Sequence, residues 1–203
     1  MVVTVTAEQF ATGMTMGDYQ AQMSQNREQF AANIEAAPVT AADVARFAAL
    51  SEPLNVLVVT EDWCGDSLAH LPVLFRLARD SGDRLDVRVF KRDENKELAA
   101  QFPMPTGRVA IPIIVFFDQQ MRETGKLLER PQVAHEEMAA FMADFFARHP
   151  DLGTAGQPIS ALTPEARQAL FVELGPWRKS RVDAWNRTAV AEFTAAAAVP
   201  AGV

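Results

Sequence analysis

The 203-residue chain has one cysteine, one tyrosine and three histidines. A single thiol excludes an internal disulfide, which fits a reducing compartment, and a cytoplasmic location is the expectation. Three scattered histidines and one cysteine give no metal-ligand spacing, so no metal site is expected. Neither G-x-G-x-x-G nor G-x-x-x-x-G-K occurs, which removes the familiar nucleotide-binding loops. No apolar run approaches the ~18 residues of a bilayer span. The opening "MVVTVTAEQF" lacks the basic-then-apolar order of a secretory leader, so no membrane partner is expected. A net charge of −7 repels a phosphate backbone, which argues against nucleic acid.

What is present is core-forming material: 49% of the residues are hydrophobic, enough for one domain with or without extensions. Asp18 can cap a helix whose apolar face is Tyr19, Met23, Phe30 and Ile34. Thr40 and Asp43 have capping-box spacing ahead of Val44, Phe47 and Leu50, and Ser51-Glu52-Pro53 ends that helix. Leu54–Thr60, "LNVLVVT", is a short continuous apolar run, expected for a strand buried on both faces. A helix follows from Gly65 to about Arg79, with Leu68, Leu71, Phe75 and Ala78 on one face. Leu85, Val87 and Val89 alternate with charged residues as in a half-covered strand. A short helix from Asp93, the strand Ile113–Phe117, a turn at Asp118-Gln119-Gln120, a strand to Leu128 and a helix ending before Pro150 complete the central series. Residues 150–163 read as a linker. Thr163-Pro164 opens a helix that Gly175-Pro176 stops, and Trp177 to Phe193 forms a last one. Trp177 and Trp185 would dock that last helix on the N-terminal helices or on a second subunit, making a homodimer.

The chemistry concentrates in "EDWCGDS", residues 61–67, directly after the first strand. Trp63-Cys64-Gly65 opens a helix, Pro72 lies inside that helix, and Ile111-Pro112 precedes the "IIVFF" strand. Together, and in this order, these features resemble the thioredoxin fold over roughly residues 50–148. The landmarks "TEDWCGDS", "KRDEN" and "RP" also resemble a bacterial group of thioredoxin-like proteins. The resemblance implies an α/β fold, a central mixed sheet flanked by helices, with N- and C-terminal helical extensions. The divisions expected are 1–52, 53–149 and 150–203. It further implies Cys64 as the nucleophile and Trp63, Asp66 and Ser67 as supporting residues. Ile111 and a cis Pro112 would form the substrate-binding edge facing Cys64.

The departures from the thioredoxin pattern are as informative. Ser67 stands where the resolving cysteine would be, and Asp66 where C-G-P-C has its proline. Val58 and Val89 take the places of a buried aspartate and its lysine partner. A thiolate at Cys64 can attack a disulfide, but the Ser67 alcohol cannot release the product. An external small thiol such as glutathione would then be the cosubstrate, and no bound cofactor is expected. The helix N-terminus, together with a hydrogen bond from Ser67, favours the thiolate; Glu61, Asp62 and Asp66 oppose it. An accessible Cys64 is expected, exchanging with a protein disulfide or thiol. Asp62 and Asp66 read as helix caps, His70 as a surface or packing residue, and the basic clusters as solvated faces. The alternative to an enzyme is a binding module that presents the Trp63/Pro112 groove without turnover. A third reading, a monothiol-glutaredoxin-like iron–sulfur carrier, has only C-x-x-S to support it.

Overall fold

A computed structural model describes residues 5–198. Its four strands are β1 (Leu54–Thr60), β2 (Leu85–Lys91), β3 (Ile113–Phe117) and β4 (Glu123–Leu128). They lie in the order β2-β1-β3-β4, with β2 parallel to β1 and the other two pairings antiparallel. The helices are α1 (Ala7–Ala11), α2 (Met16–Gln22), α3 (Arg27–Ala36), α4 (Ala41–Ala48), α5 (Gly65–Asp80), α6 (Lys96–Ala99), α7 (Gln132–Arg148) and α8 (Pro164–Ala197). This is the α/β, thioredoxin-like fold that the sequence implied. Among the described residues, no helix is long and apolar enough to cross a membrane.

The continuous apolar runs follow from a sheet covered on both faces. Because strand side chains alternate, Val56, Val58, Ile114 and Phe116 enter one core, while Leu57, Val59, Ile113, Val115 and Phe117 enter another. The first core takes Tyr19 and Phe30 from the N-terminal helices and Phe75 from α5. These three rings meet edge to face, with Tyr19 and Phe30 centroids 6.0 Å apart and Phe30 and Phe75 centroids 5.3 Å apart. Phe193, from the end of α8, reaches Phe116 in the same core. Gly125 on β4 allows this approach, since a Cβ there would stand 2.7 Å from Ala196. The second core takes Phe10, Leu98, Phe102, Ile111 and Cys64. Beyond β2, Met14 exchanges two backbone hydrogen bonds with Val89, of 2.9 and 2.8 Å, and extends the edge by one bridge.

The chain divides into two compact units, one running to Arg130 and resuming at Asn186, the other Pro131–Trp185. This division falls elsewhere than the expected 1–52, 53–149 and 150–203. The second unit has its own core: Phe145 and Met138 of α7 with Leu170, Leu174 and Trp185 of α8. Residues 150–163 belong to it as packed chain rather than as a bare linker, with Leu162 buried and a 3-10 turn at Ile159–Ala161.

Three sequence expectations need correction. The helix expected from Asp18 is two helices. Thr15 is the cap, Asp18 completes its capping box, and the chain breaks between Gln22 and Arg27 with Asn26 at φ 57°. Gly175-Pro176 does not stop α8, which continues through Pro176 to Ala197. A helical proline deprives the carbonyl four residues back, and here that residue is the exposed Val172, whose carbonyl water can serve. Packing holds the turn, with Trp177 4.5 Å from Phe141 and 5.5 Å from Trp185 between ring centroids. The third concerns the two tryptophans, which pack within the second unit, where Trp185 donates to Glu137 at 2.9 Å.

Candidate functional site

β1 ends at Thr60, and the next turn delivers Cys64 to the start of α5. Two clamps hold that turn. The Asp62 carboxylate accepts from the Ser24 backbone (2.7 Å), the Ser24 hydroxyl (2.9 Å) and the Gln25 backbone (3.0 Å), and the Asp62 carbonyl accepts from Asn26. The break between α2 and α3 therefore exists to grip Asp62, which is no cap of α5. Burial alone would raise the Asp62 pKa, but the bonds from Ser24 and Gln25 and the charge of Lys91 hold it below the usual carboxylate range. The second clamp is "KRDEN". Arg92 donates its backbone N–H to Thr60, Asp93 donates its own to the Glu61 carboxylate at 2.8 Å, and the Arg92 guanidinium lies 5.1 Å from the Trp63 ring centre. The Lys91-Arg92 pair is thus site architecture rather than a plain solvated face.

Cys64 is the N-cap residue of α5, with its carbonyl bonded to the Leu68 N–H at 2.9 Å. Ile111-Pro112 is cis, and the Cys64 thiol donates to the Ile111 carbonyl at 3.4 Å. The structure brings the Cys64 sulfur to the Ile111 carbonyl, beside the cis Pro112. It leaves Trp63 45% exposed and Cys64 only 8% exposed, less open than the sequence reading expected. Ser67 is buried. Its hydroxyl accepts from Thr60 at 2.7 Å and makes no hydrogen bond to Cys64 here.

Asp66 stands in the first turn of α5. It accepts from Arg130 at 2.8 Å, Arg130 also donates to Glu129 at 2.9 Å, and Arg108 donates to Glu129 at 2.8 Å. The Glu129 backbone N–H donates to the Pro112 carbonyl at 2.7 Å, from a left-handed backbone at φ 65° that is uncommon for a non-glycine. An ionic chain therefore joins the Asp66 of W-C-G-D-S to the Pro112 loop. The "RP" landmark contained Arg130 and "TEDWCGDS" opens on Thr60, but nothing in the sequence marked Glu129. Among the described residues no group of His, Cys, Asp and Glu side chains could hold a metal.

Pro72 interrupts α5 without orphaning the turn before it. The Leu68 carbonyl, four residues back, accepts from Asn33 Nδ2 at 2.9 Å, and the next carbonyl, Ala69, accepts from Asn186 Nδ2 at 3.0 Å. His70 is fully buried, with its Nδ1 2.8 Å from Asn186 Oδ1, so it is a packing residue.

A crystal structure of a protein of unknown function from Pseudomonas aeruginosa is similar over 94% of this chain and 98% of that one, at 15% identity and a TM-score of 0.61. An HIV epitope-scaffold crystal structure matches over the same shares at 15% identity and a TM-score of 0.59. At such identities the likeness is one of fold, helical extensions included. No protein of curated function matches the chain. The thioredoxin family model matches residues 13–144, which hold the sheet, Cys64 and Pro112, and by that match the chain belongs to the thioredoxin family.

Proposed function

We propose that the protein carries out thiol–disulfide exchange with Cys64 as sole nucleophile. The observation that supports this reading is the juxtaposition of the Cys64 sulfur, at the start of α5, with the Ile111 carbonyl 3.4 Å away beside Pro112. The thiolate attacks one sulfur of a substrate disulfide. The new bond is Cys64–S–S–R, and the departing thiolate takes a proton from water. Ser67 cannot displace R. A small external thiolate, glutathione or one of its class, attacks the sulfur of R instead, regenerating Cys64 and leaving as the R disulfide. The protein supplies no electrons beyond those of the external thiol.

The expected outcome with native protein and oxidised glutathione is one glutathione adduct by intact mass, removed by excess reduced glutathione. An adduct that forms only after denaturant is added refutes the reading. The second reading, a binding module without turnover, draws on the contrast between the exposed Trp63 and the nearly buried Cys64. It would then be preferred, with the Trp63/Pro112 groove as the surface for a protein partner.

A further inference from the structure

We infer that Arg130 is a positioning residue: by pairing with Asp66 and Glu129 it sets the Ile111 carbonyl against the Cys64 sulfur, and so fixes the slot that a substrate disulfide enters. The inference rests on Cys64 being the nucleophile proposed above. The contacts close a ring. From Cys64 the chain runs two residues to Asp66, in the first turn of α5. Asp66 accepts from Arg130 Nη2 at 2.8 Å, and the same nitrogen donates to Glu129 Oε1 at 2.9 Å. The Glu129 N–H reaches the Pro112 carbonyl at 2.7 Å, and the neighbouring Ile111 carbonyl accepts the Cys64 thiol at 3.4 Å. The proline ring locks φ, so a hold on the Pro112 carbonyl carries to Ile111 with little slack.

Three features set these ion pairs apart from surface pairs. The side chains are nearly enclosed, Arg130 at 13%, Asp66 at 14% and Glu129 at 11% exposure. An enclosed pair adds little net stability, because desolvation offsets the attraction, and its best-attested use is to select one arrangement of the parts it joins. The β3–β4 ladder ends with Ile113 opposite Leu128, and the Glu129–Pro112 bond carries it one step further, onto the residue beside Ile111. Glu129 holds a left-handed backbone at φ 65°, where glycine or asparagine is the easier choice. A glutamate there supplies a carboxylate that Arg130 and Arg108 grip together, at 2.9 and 2.8 Å. The side chain thus fixes the backbone that aims the N–H at Pro112.

The test uses the single cysteine, whose S–H stretch is the only one in the infrared spectrum. Donating to a carbonyl lowers that stretch, weak though the bond is. Asp66→Ala and Arg130→Gln, recorded folded and with the thiol protonated, should each move the band up toward the free value. A merely stabilising role would leave the band of the folded protein where it is. Exchange with oxidised glutathione, compared at a pH where Cys64 is fully ionised, should slow about tenfold in each, since a 1 Å misplacement costs up to about a hundredfold. The double variant should be little slower than either single one, because both break one ring. A purely electrostatic role predicts rates that move in opposite directions, as Asp66→Ala removes an anion and Arg130→Gln a cation. Opposite rate changes with an unmoved band overturn the inference, and so does an unmoved band in both variants. Should either protein fail to fold, Asp66→Asn keeps the shape and Arg130→Lys the charge without the planar fork, and the same readings apply in smaller amount. The infrared band needs no disulfide. A shifted band with no glutathione adduct on the wild type would uphold the positioning while refuting exchange.

Discussion

Asn33 should matter to stability only because Pro72 is a proline. Pro72 has no N–H to give the Leu68 carbonyl, and Asn33 Nδ2 fills that role from α3 at 2.9 Å, in a half-buried position. Asn33→Ala therefore leaves a partly buried carbonyl without a donor, at a cost of about 1–2 kcal/mol. For a chain of this size that is a loss of about 2–8 °C in Tm. In a Pro72→Ala background the helix has its own donor at that position. There Asn33→Ala should cost no more than a surface change, about 0.5 kcal/mol or less.

The assay is a double-mutant cycle of four proteins, each unfolded in urea with the same probe. The coupling between positions 33 and 72 should be about 1 kcal/mol. Equal costs of Asn33→Ala in the two backgrounds would refute the reasoning, since Asn33 would then be contributing packing alone. Asn186 serves the neighbouring Ala69 carbonyl but also holds His70, so it makes a poorer probe.

Two further outcomes follow. Asp62→Asn should destabilise the first unit by about 1–2 kcal/mol at neutral pH, by weakening three hydrogen bonds to one carboxylate oxygen. Because the folded pKa of Asp62 is depressed, its stabilisation is complete above the unfolded value of ~3.9 and is lost as pH falls through the lower folded value. The gap between wild type and Asp62→Asn should accordingly close only below about pH 4, and a gap that narrows between pH 5 and 7 would contradict the assignment. Ser67→Cys should form a reversible disulfide with Cys64, since a first-turn i, i+3 pair lies within disulfide reach, and should gain weak insulin reductase activity over wild type. A disulfide that forms but transfers to no substrate would favour the binding module.

The parts of the fold legible in the sequence were those where one local signal decides. Leu54–Thr60 and Ile113–Phe117 are continuous apolar runs, and both are strands with those bounds because both sheet faces are covered. Thr40-x-x-Asp43 is a capping box because the two side chains need only each other. The failures were cases of tertiary override. The apolar spacing from Tyr19 to Ile34 fits a single helix, and only Asp62, some forty residues later, breaks it at Ser24–Asn26. Pro176 reads as a stop until aromatic packing on both sides is known. At the site, Cys64, Ile111 and Pro112 were found through resemblance, whereas Arg130 acts through Asp66, 64 residues away in sequence.

Asp66 and Pro72 carry this furthest. In C-G-P-C the proline stiffens the start of the helix by its own ring. Here Asp66 has no ring, and the same place is held by a charge pair with Arg130, which continues through Glu129 to the Pro112 carbonyl. Pro72 in turn takes an N–H out of α5, and Asn33 and Asn186 replace what is missing from α3 and α8. Asp62 fixes the turn before Cys64 to the break between α2 and α3. Most of these anchors come from outside the β1–β4 sheet and α5. The flanking helices therefore act as the scaffold of the cysteine. Removing them would expose the apolar face of Tyr19, Phe30 and Phe193 and would also release Cys64 from its position opposite Ile111.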